Sequence, residues 1–236
     1  MCWSGGKDSA LCLYKVLQQK EFEVKYLLTT VNEEFKRISM HGVREELLDE
    51  QAKQIGIPLV KVFVKEGTNS EYEKKMEGTL LKFKAEGIEH VIFGDIFLED
   101  LRKYRENNLA KVNMTGVFPL WKQDTKDLLN EFLSLKFKTI ICCTNDAHLG
   151  EEFAGKIIGE KFISEIPSTV DACGENGEYH TFCFDGPIFK FPISVSTGKK
   201  IYKPLEIKTS SSNTHSFNHP RSETKGFWYC DLLKKS

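Results

Sequence analysis

The chain has 236 residues, 40% of them hydrophobic and 28% charged; that is apolar material enough for a sizeable core, and it excludes disorder over the whole length. Lys plus Arg number 33 against 34 Asp plus Glu, a formal net charge of −1. A balance this even carries no electrostatic footprint of a nucleic-acid or anionic-membrane protein, so RNA is disfavoured as a partner.

No stretch approaches the roughly 18–20 continuous apolar residues of a membrane helix. The N-terminus lacks the charged-then-apolar build of a signal peptide, and the expectation is a cytoplasmic protein. The seven cysteines are odd in number and form no CxxC pair. Several lie in apolar runs, the pattern of free buried thiols in a reducing compartment.

In chain order, residues 8–19 carry apolar side chains at helical spacing, and residues 24–31 (VKYLLTTV) form a β-branched run of strand length. Residues 44–55 and 71–85 repeat the helical pattern, with the apolar run 59–64 between them. Short runs at 91–93 and 139–143 flank a further helical segment at 127–135. Near-continuous apolar runs fit strands buried on both faces. Their alternation with helices predicts an α/β fold, a doubly wound, mainly parallel sheet.

After about residue 145 the pattern shifts to glycine- and proline-punctuated stretches at 179–184, 188–194 and 200–203, read as short antiparallel strands. Residues 209–224 are polar and read as a loop, and 227–233 as a last strand. The expected division is a domain over 1–145 and a smaller α+β domain over 146–236.

Ser4, Gly5, Gly6, Lys7, Asp8 and Ser9 lie in the turn leading into the first helix. Adjacent glycines permit positive-φ geometry, and a helix N-terminus offers unpaired N–H donors with a partial positive charge. The two hydroxyls and Lys7 suit a phosphate, and an acidic Asp8 there makes sense through Mg²⁺. The spacing is not that of a Walker A loop. The alternative is an ordinary glycine-rich turn with a Ser or Asp cap.

These residues resemble the PP-loop ATP pyrophosphatase superfamily, with its Ser-Gly-Gly-x-Asp-Ser signature. The resemblance implies ATP cleavage between the α and β phosphates, a loop that holds the leaving pyrophosphate, and an adenylate intermediate. It also implies that Thr29, Thr30 and Val31 lie beside the adenine. Such a loop follows a buried strand, whereas only Met1-Cys2-Trp3 precede Ser4. The expectation is therefore a start further upstream or a missing strand, which intact-mass detection of Met1 as the first native residue would overturn.

Gly94-Asp95 closes the run 91–93, where open α/β sheets bind ligands. Arg102 and Arg105 follow on a charged helix that should approach the same crevice. Further on, residues 173–187 read CGENGEYHTFCFDGP. Glu175 and Glu178, flanked by glycines, could bind Mg²⁺ or an amine or act as acid and base; a polar hairpin with a capping glutamate is the alternative.

The two motifs together resemble the diphthine–ammonia ligase family of PP-loop proteins over essentially the whole length. That resemblance implies a PP-loop domain with a smaller C-terminal domain closing over the crevice. It implies amidation of a carboxylate with ATP and ammonia, diphthine being a modified histidine of elongation factor 2. Asp8, Lys7, Glu175 and Glu178 would be catalytic; His41, Arg102, Arg105, Asn176 and Thr181 would meet substrate. The 167–177 segment and the His- and Cys-bearing strand look closer to a bacterial-type branch, which the resemblance links to cobalamin salvage, so a corrinoid is the alternative substrate to diphthine. The sequence does not name the oligomeric state, a homodimer being one option, and a non-catalytic ATP-binding regulator is the competing class.

Zinc on Cys173, His180 and Cys183, or on Cys142, Cys143 and His148, lacks a ligand spacing typical of zinc fingers. A tRNA-thiolating enzyme would carry a CxxC pair or a basic appendage, and the chain has neither.

Overall fold

The computed structural model describes residues 1–39, 41–65, 69–205 and 224–235. Its first part is a mainly parallel sheet. Strand β1 (Leu27–Asn32) pairs in parallel with β3 (Leu59–Val64) over its full length, and β4 (His90–Ile92) pairs in parallel with β5 (Thr115–Val117). A two-residue strand, β2 (Arg37–Ile38), runs antiparallel to the end of β1.

Residues 1–3 join these two pairs. Cys2 bridges Leu28 in parallel, Trp3 N donates to Leu28 O at 2.8 Å, and Cys2 N donates to Ile92 O at 2.9 Å. The short segment before the glycine loop thus sits between β1 and β4, giving the spatial order β3, β1, residues 1–3, β4, β5.

Both faces are covered, as a doubly wound sheet requires. Leu27 and Ile92 join the core that contains residues of α1 (Lys7–Gln19), α2 (Glu45–Ile55) and α5 (Thr125–Ser134). Their neighbours Leu28, Val91 and Phe93 point the other way, onto α3 (Asn69–Ala85) and α4 (Glu99–Ala110). The strict alternation of side chains along a strand produces this division.

The second part is strand-rich. Strands β6 (Lys138–Asn145), β7 (Tyr179–Asp185), β8 (Val195–Pro204) and β9 (Gly226–Lys234) form one antiparallel sheet in the order β7-β6-β9-β8. A short helix, α6 (Glu160–Glu165), lies in the connection from β6 to β7.

Two expectations are corrected here. The run 139–143, read with the parallel strands, lies in β6, whose neighbours are both antiparallel. Burial on both faces makes a run apolar whatever its direction, so composition could not tell the two apart. Residues 188–194 form turns and bends instead of a strand, with Pro187 and Pro192 unable to donate to a ladder and Phe191 70% exposed. The polar segment 209–224 lies outside the described residues apart from Thr224.

All seven cysteines are free thiols, and burial pushes Cys143 and Cys173 up to about 12. Among the described residues no helix is long and apolar enough to cross a membrane.

Candidate active site

The glycine loop closes one wall of a cavity of about 550 Å³ at the carboxyl ends of β1 and β4. Open α/β sheets bind ligands at this edge. Gly5 turns the chain at φ +76°, with Gln51 Oε1 2.6 Å from where a Cβ would stand. Gly6 then leads into α1 from extended backbone without a side-chain cap. Ser4 Oγ lies 3.2 Å from Ser9 Oγ, and Ser9 Oγ donates to Gly6 O at 2.9 Å.

The second part of the chain completes the loop's surroundings. Lys7 N donates to Thr181 Oγ1 at 3.0 Å, and Cys183 N donates to Gly5 O at 2.8 Å. Lys7 is only 2% exposed. Its Nζ reaches both Asp8 oxygens at 2.7 Å and donates to the Cys173 carbonyl. Burial works against the Lys7 charge, but Asp8, Cys173 and Tyr179 outweigh it and raise its pKa above the ordinary value. A protonated lysine thus ties α1 to the glycine-flanked 173–178 segment. Gly94 ends β4 against the loop: a Cβ there would stand 3.2 Å from Asp8 C and O and 3.3 Å from Ser9 N.

Glu175 lines the same cavity from the 173–178 segment. Its Oε1 accepts from Ile96 N at 2.7 Å, while its own N–H and that of Cys173 donate to Asp171 Oδ2. Burial, followed by the charge of Asp8, pushes Glu175 up to about 8. A carboxyl that keeps its proton longer when folded stabilises the fold most below its ordinary value of 4.5, and this contribution is lost as pH rises through about 8. The urea midpoint should therefore fall between pH 5 and pH 8.5, and Glu175→Gln should flatten that slope. An unchanged slope in the variant would count against the assignment.

The cavity gathers many of the residues singled out from sequence: Ser4, Gly6, Lys7, Asp8 and Ser9, with Thr29, Thr30, Gly94 and Asp95, and then His41, Arg105, Glu175 and Thr181. Five others stand elsewhere. Gly5, within the loop, is buried against Gln51 and Leu48. Val31 points into the core, fully buried. Arg102 lies against the rings of Phe118 and Trp121 and pairs with Glu106, so the expectation that it faces the crevice is corrected. Arg105 does face it, but is held by Asp95 at 2.5 and 3.1 Å. Asn176 donates to Glu178 Oε1 at 3.0 Å. Glu178 is fully buried and also accepts from Asp171 N at 3.1 Å, which places it behind the 171–178 turn, outside the cavity lining.

Sequence reasoning missed Gln51. Its Nε2 donates to Gly5 O at 2.9 Å and Cys183 O at 2.6 Å, and its Oε1 accepts from Trp3 Nε1 at 2.9 Å. One buried amide thereby joins the segment before the loop, the loop itself and β7. The available signal was a polar residue on the helix face that carries Leu47, Leu48 and Ala52. Gln51→Ala should cost about 1–3 kcal/mol, since it leaves the Trp3 indole N–H without its partner in the core and takes an amide donor from the Gly5 and Cys183 carbonyls, Gly5 O keeping Cys183 N. Urea denaturation measures this, and a cost below about 0.5 kcal/mol would contradict it.

A glycine-rich turn at a helix N-terminus, facing a cavity at the carboxyl edge of a parallel sheet, defines a PP-loop-type α/β protein of the ATP-binding class. The family model of the diphthamide synthase N-terminal domain matches residues 1–115, and that of the C-terminal domain matches residues 124–211. The chain belongs to the diphthine–ammonia ligase (diphthamide synthase) family.

A diphthine–ammonia ligase of Rattus norvegicus is 36% identical over 130 residues, which is 52% of this chain and 47% of the relative. That of Danio rerio is 26% identical over 223 residues, covering 84% of this chain and 86% of the relative. That of Saccharomyces cerevisiae is 25% identical over 224 residues, covering 79% of this chain and 33% of the relative. The chain thus spans about half the length of the rat relative and a third of the yeast one.

Proposed function

We propose that the chain is an ATP-dependent ligase that joins ammonia to a carboxylate through an acyl-adenylate. The carboxylate oxygen attacks the α phosphorus of ATP, and the bond to the β phosphate breaks to release pyrophosphate. Ammonia then attacks the acyl carbon; AMP leaves, and the added nitrogen gives up a proton to form the amide. The reading rests on one observation above others: the Ser4–Ser9 loop and Glu175 line a single cavity.

In this reading the triphosphate lies on the loop, met by the N–H groups of the first turn of α1, the Ser4 and Ser9 hydroxyls and Lys7. The adenine lies beside Thr29 and Thr30. Asp8, whose side chain is 30% exposed toward the cavity, suits a Mg²⁺ bound chiefly by phosphate. Magnesium usually takes only one or two carboxylates and keeps several waters, so a lone accessible Asp fits; when bound, the ion would neutralise charge on the phosphates. Glu175 faces the acyl carbon and orients ammonia. Asn176 and Glu178 hold the turn that carries Glu175, and the Asp95–Arg105 pair lines the acyl side. As a working division, residues 1–145 serve nucleotide and 146–236 serve substrate. The division is functional, because β6 of the first stretch belongs to the sheet of the second.

The relatives' name supplies the substrate to try first. Elongation factor 2 carrying diphthine, incubated with the protein, Mg·ATP and ¹⁵N-ammonium, should gain one ¹⁵N amide by mass spectrometry. A protein that bound ATP but modified neither this substrate nor a corrinoid acid would favour the binding-protein alternative.

A further inference from the structure

Two imidazoles next to the glycine loop take no part in the reaction proposed above. His41 and His180 stack with ring centroids 4.6 Å apart and planes inclined by 30°, and both line the cavity. They are fixed from separate elements. His180 stands on β7 immediately before Thr181, whose hydroxyl holds Lys7 N. His41 rides on the turn after β2, which Arg37 clamps by donating to Gly42 O at 2.7 Å and Asp231 Oδ1 at 2.9 Å. His41 Cε1 is 3.2 Å from where a Cβ on Gly6 would stand, so the pair lies directly against the loop.

Their hydrogen bonding is incomplete in an informative way. His41 Nδ1 is 3.1 Å from Thr181 O; a carbonyl only accepts, so Nδ1 carries the hydrogen and Nε2 keeps its lone pair. His180 Nε2 is buried with no hydrogen-bond partner, although buried polar atoms are normally paired. The charged and titratable groups around them are Lys7 and Asp8 from α1, Glu175 and Tyr179 from the 173–179 stretch, and Tyr229 of β9, which packs beneath Gly42.

We infer that the His41–His180 pair is the proton-accepting part of the triphosphate site, taking up one proton from solvent when the polyphosphate of ATP seats on the loop. The inference rests on the nucleotide reading above. Without ligand, burial first and the nearby Lys7 as well keep both rings neutral: His41 is lowered to about 4, and His180 lies well below its ordinary value. A polyanion on the loop reverses that field. One proton on two stacked rings belongs to the pair, since a second would place like charges together. The charge of the pair then lies beside the polyphosphate, against the loop that His41 touches.

The test is calorimetric titration of the full chain with Mg²⁺ and α,β-methylene-ATP near pH 6.5, in two buffers of unlike ionisation enthalpy. Wild type and Glu175→Gln should each take up about one proton per site, and affinity should rise up to about tenfold per unit fall in pH. His180→Asn and His41→Asn should bind about tenfold more weakly, with the uptake lost. Binding by wild type with equal heats in both buffers would overturn the inference and leave the nucleotide reading standing. Uptake persisting in both histidine variants would also overturn it. Absence of any binding by wild type would overturn the two together.

Discussion

Asp8→Ala should lower kcat/KM for Mg·ATP by about 10³-fold, because it removes two functions at once. Asp8 is the accessible carboxylate that suits the magnesium of the nucleotide, and it is also the counter-ion of Lys7, which is only 2% exposed. Without Asp8, the other neighbours of the buried ammonium, the Cys173 thiol and the Tyr179 phenol, are uncharged at neutral pH, and the lysine loses the larger part of what holds its proton. Asp8→Asn separates the effects, keeping the shape of the side chain and one acceptor for Lys7 Nζ while losing the charge. If charge is what matters, Asn should lose nearly as much activity as Ala, and neither loss should be recovered by raising magnesium to saturation. Steady-state kinetics over a magnesium series reads both, and near-wild-type turnover in either variant would contradict the assignment.

Lys7→Met should cost about 10²–10³-fold in kcat/KM through a different route. Methionine fills a similar volume but cannot hold the Cys173 carbonyl or balance Asp8. The 173–178 segment would lose its tie to α1, and Glu175 with it, so both KM for ATP and kcat should suffer. The stability cost should be only about 1–2 kcal/mol, below that of breaking a fully buried pair, because Asp8 stays 30% exposed. A loss confined to KM would mean that Lys7 serves binding alone; unchanged kinetics would remove it from the site.

The features legible in the sequence were those whose chemistry is local. Ser4–Ser9 announces a glycine-rich turn at a helix N-terminus because the residues that make it are contiguous. The parallel strands 27–32 and 59–64 were legible as apolar runs because both of their faces are covered. Strand direction was not: the residues of β6 are as apolar as those of β1, and only pairing with β7 and β9 makes β6 antiparallel. The two-residue β2 is too short for any pattern.

Within the site, Arg102 and Arg105 are three residues apart on one helix and equivalent in sequence. Asp95 holds one, and the rings of Phe118 and Trp121 take the other. Glu175 and Glu178 are separated in the same way, by a turn that sends one to the cavity lining and buries the other. Gln51 was missed because its three partners lie at sequence positions 3, 5 and 183, and no local pattern joins them.

In the proposed reaction the loop holds ATP for cleavage between its α and β phosphates. The most direct test is to identify the nucleotide products from Mg·ATP, ammonium and a carboxylate substrate by anion-exchange chromatography. AMP and pyrophosphate in equal amounts, formed only with substrate present and lost in Asp8→Ala, are the predicted result. ADP and inorganic phosphate would contradict the account.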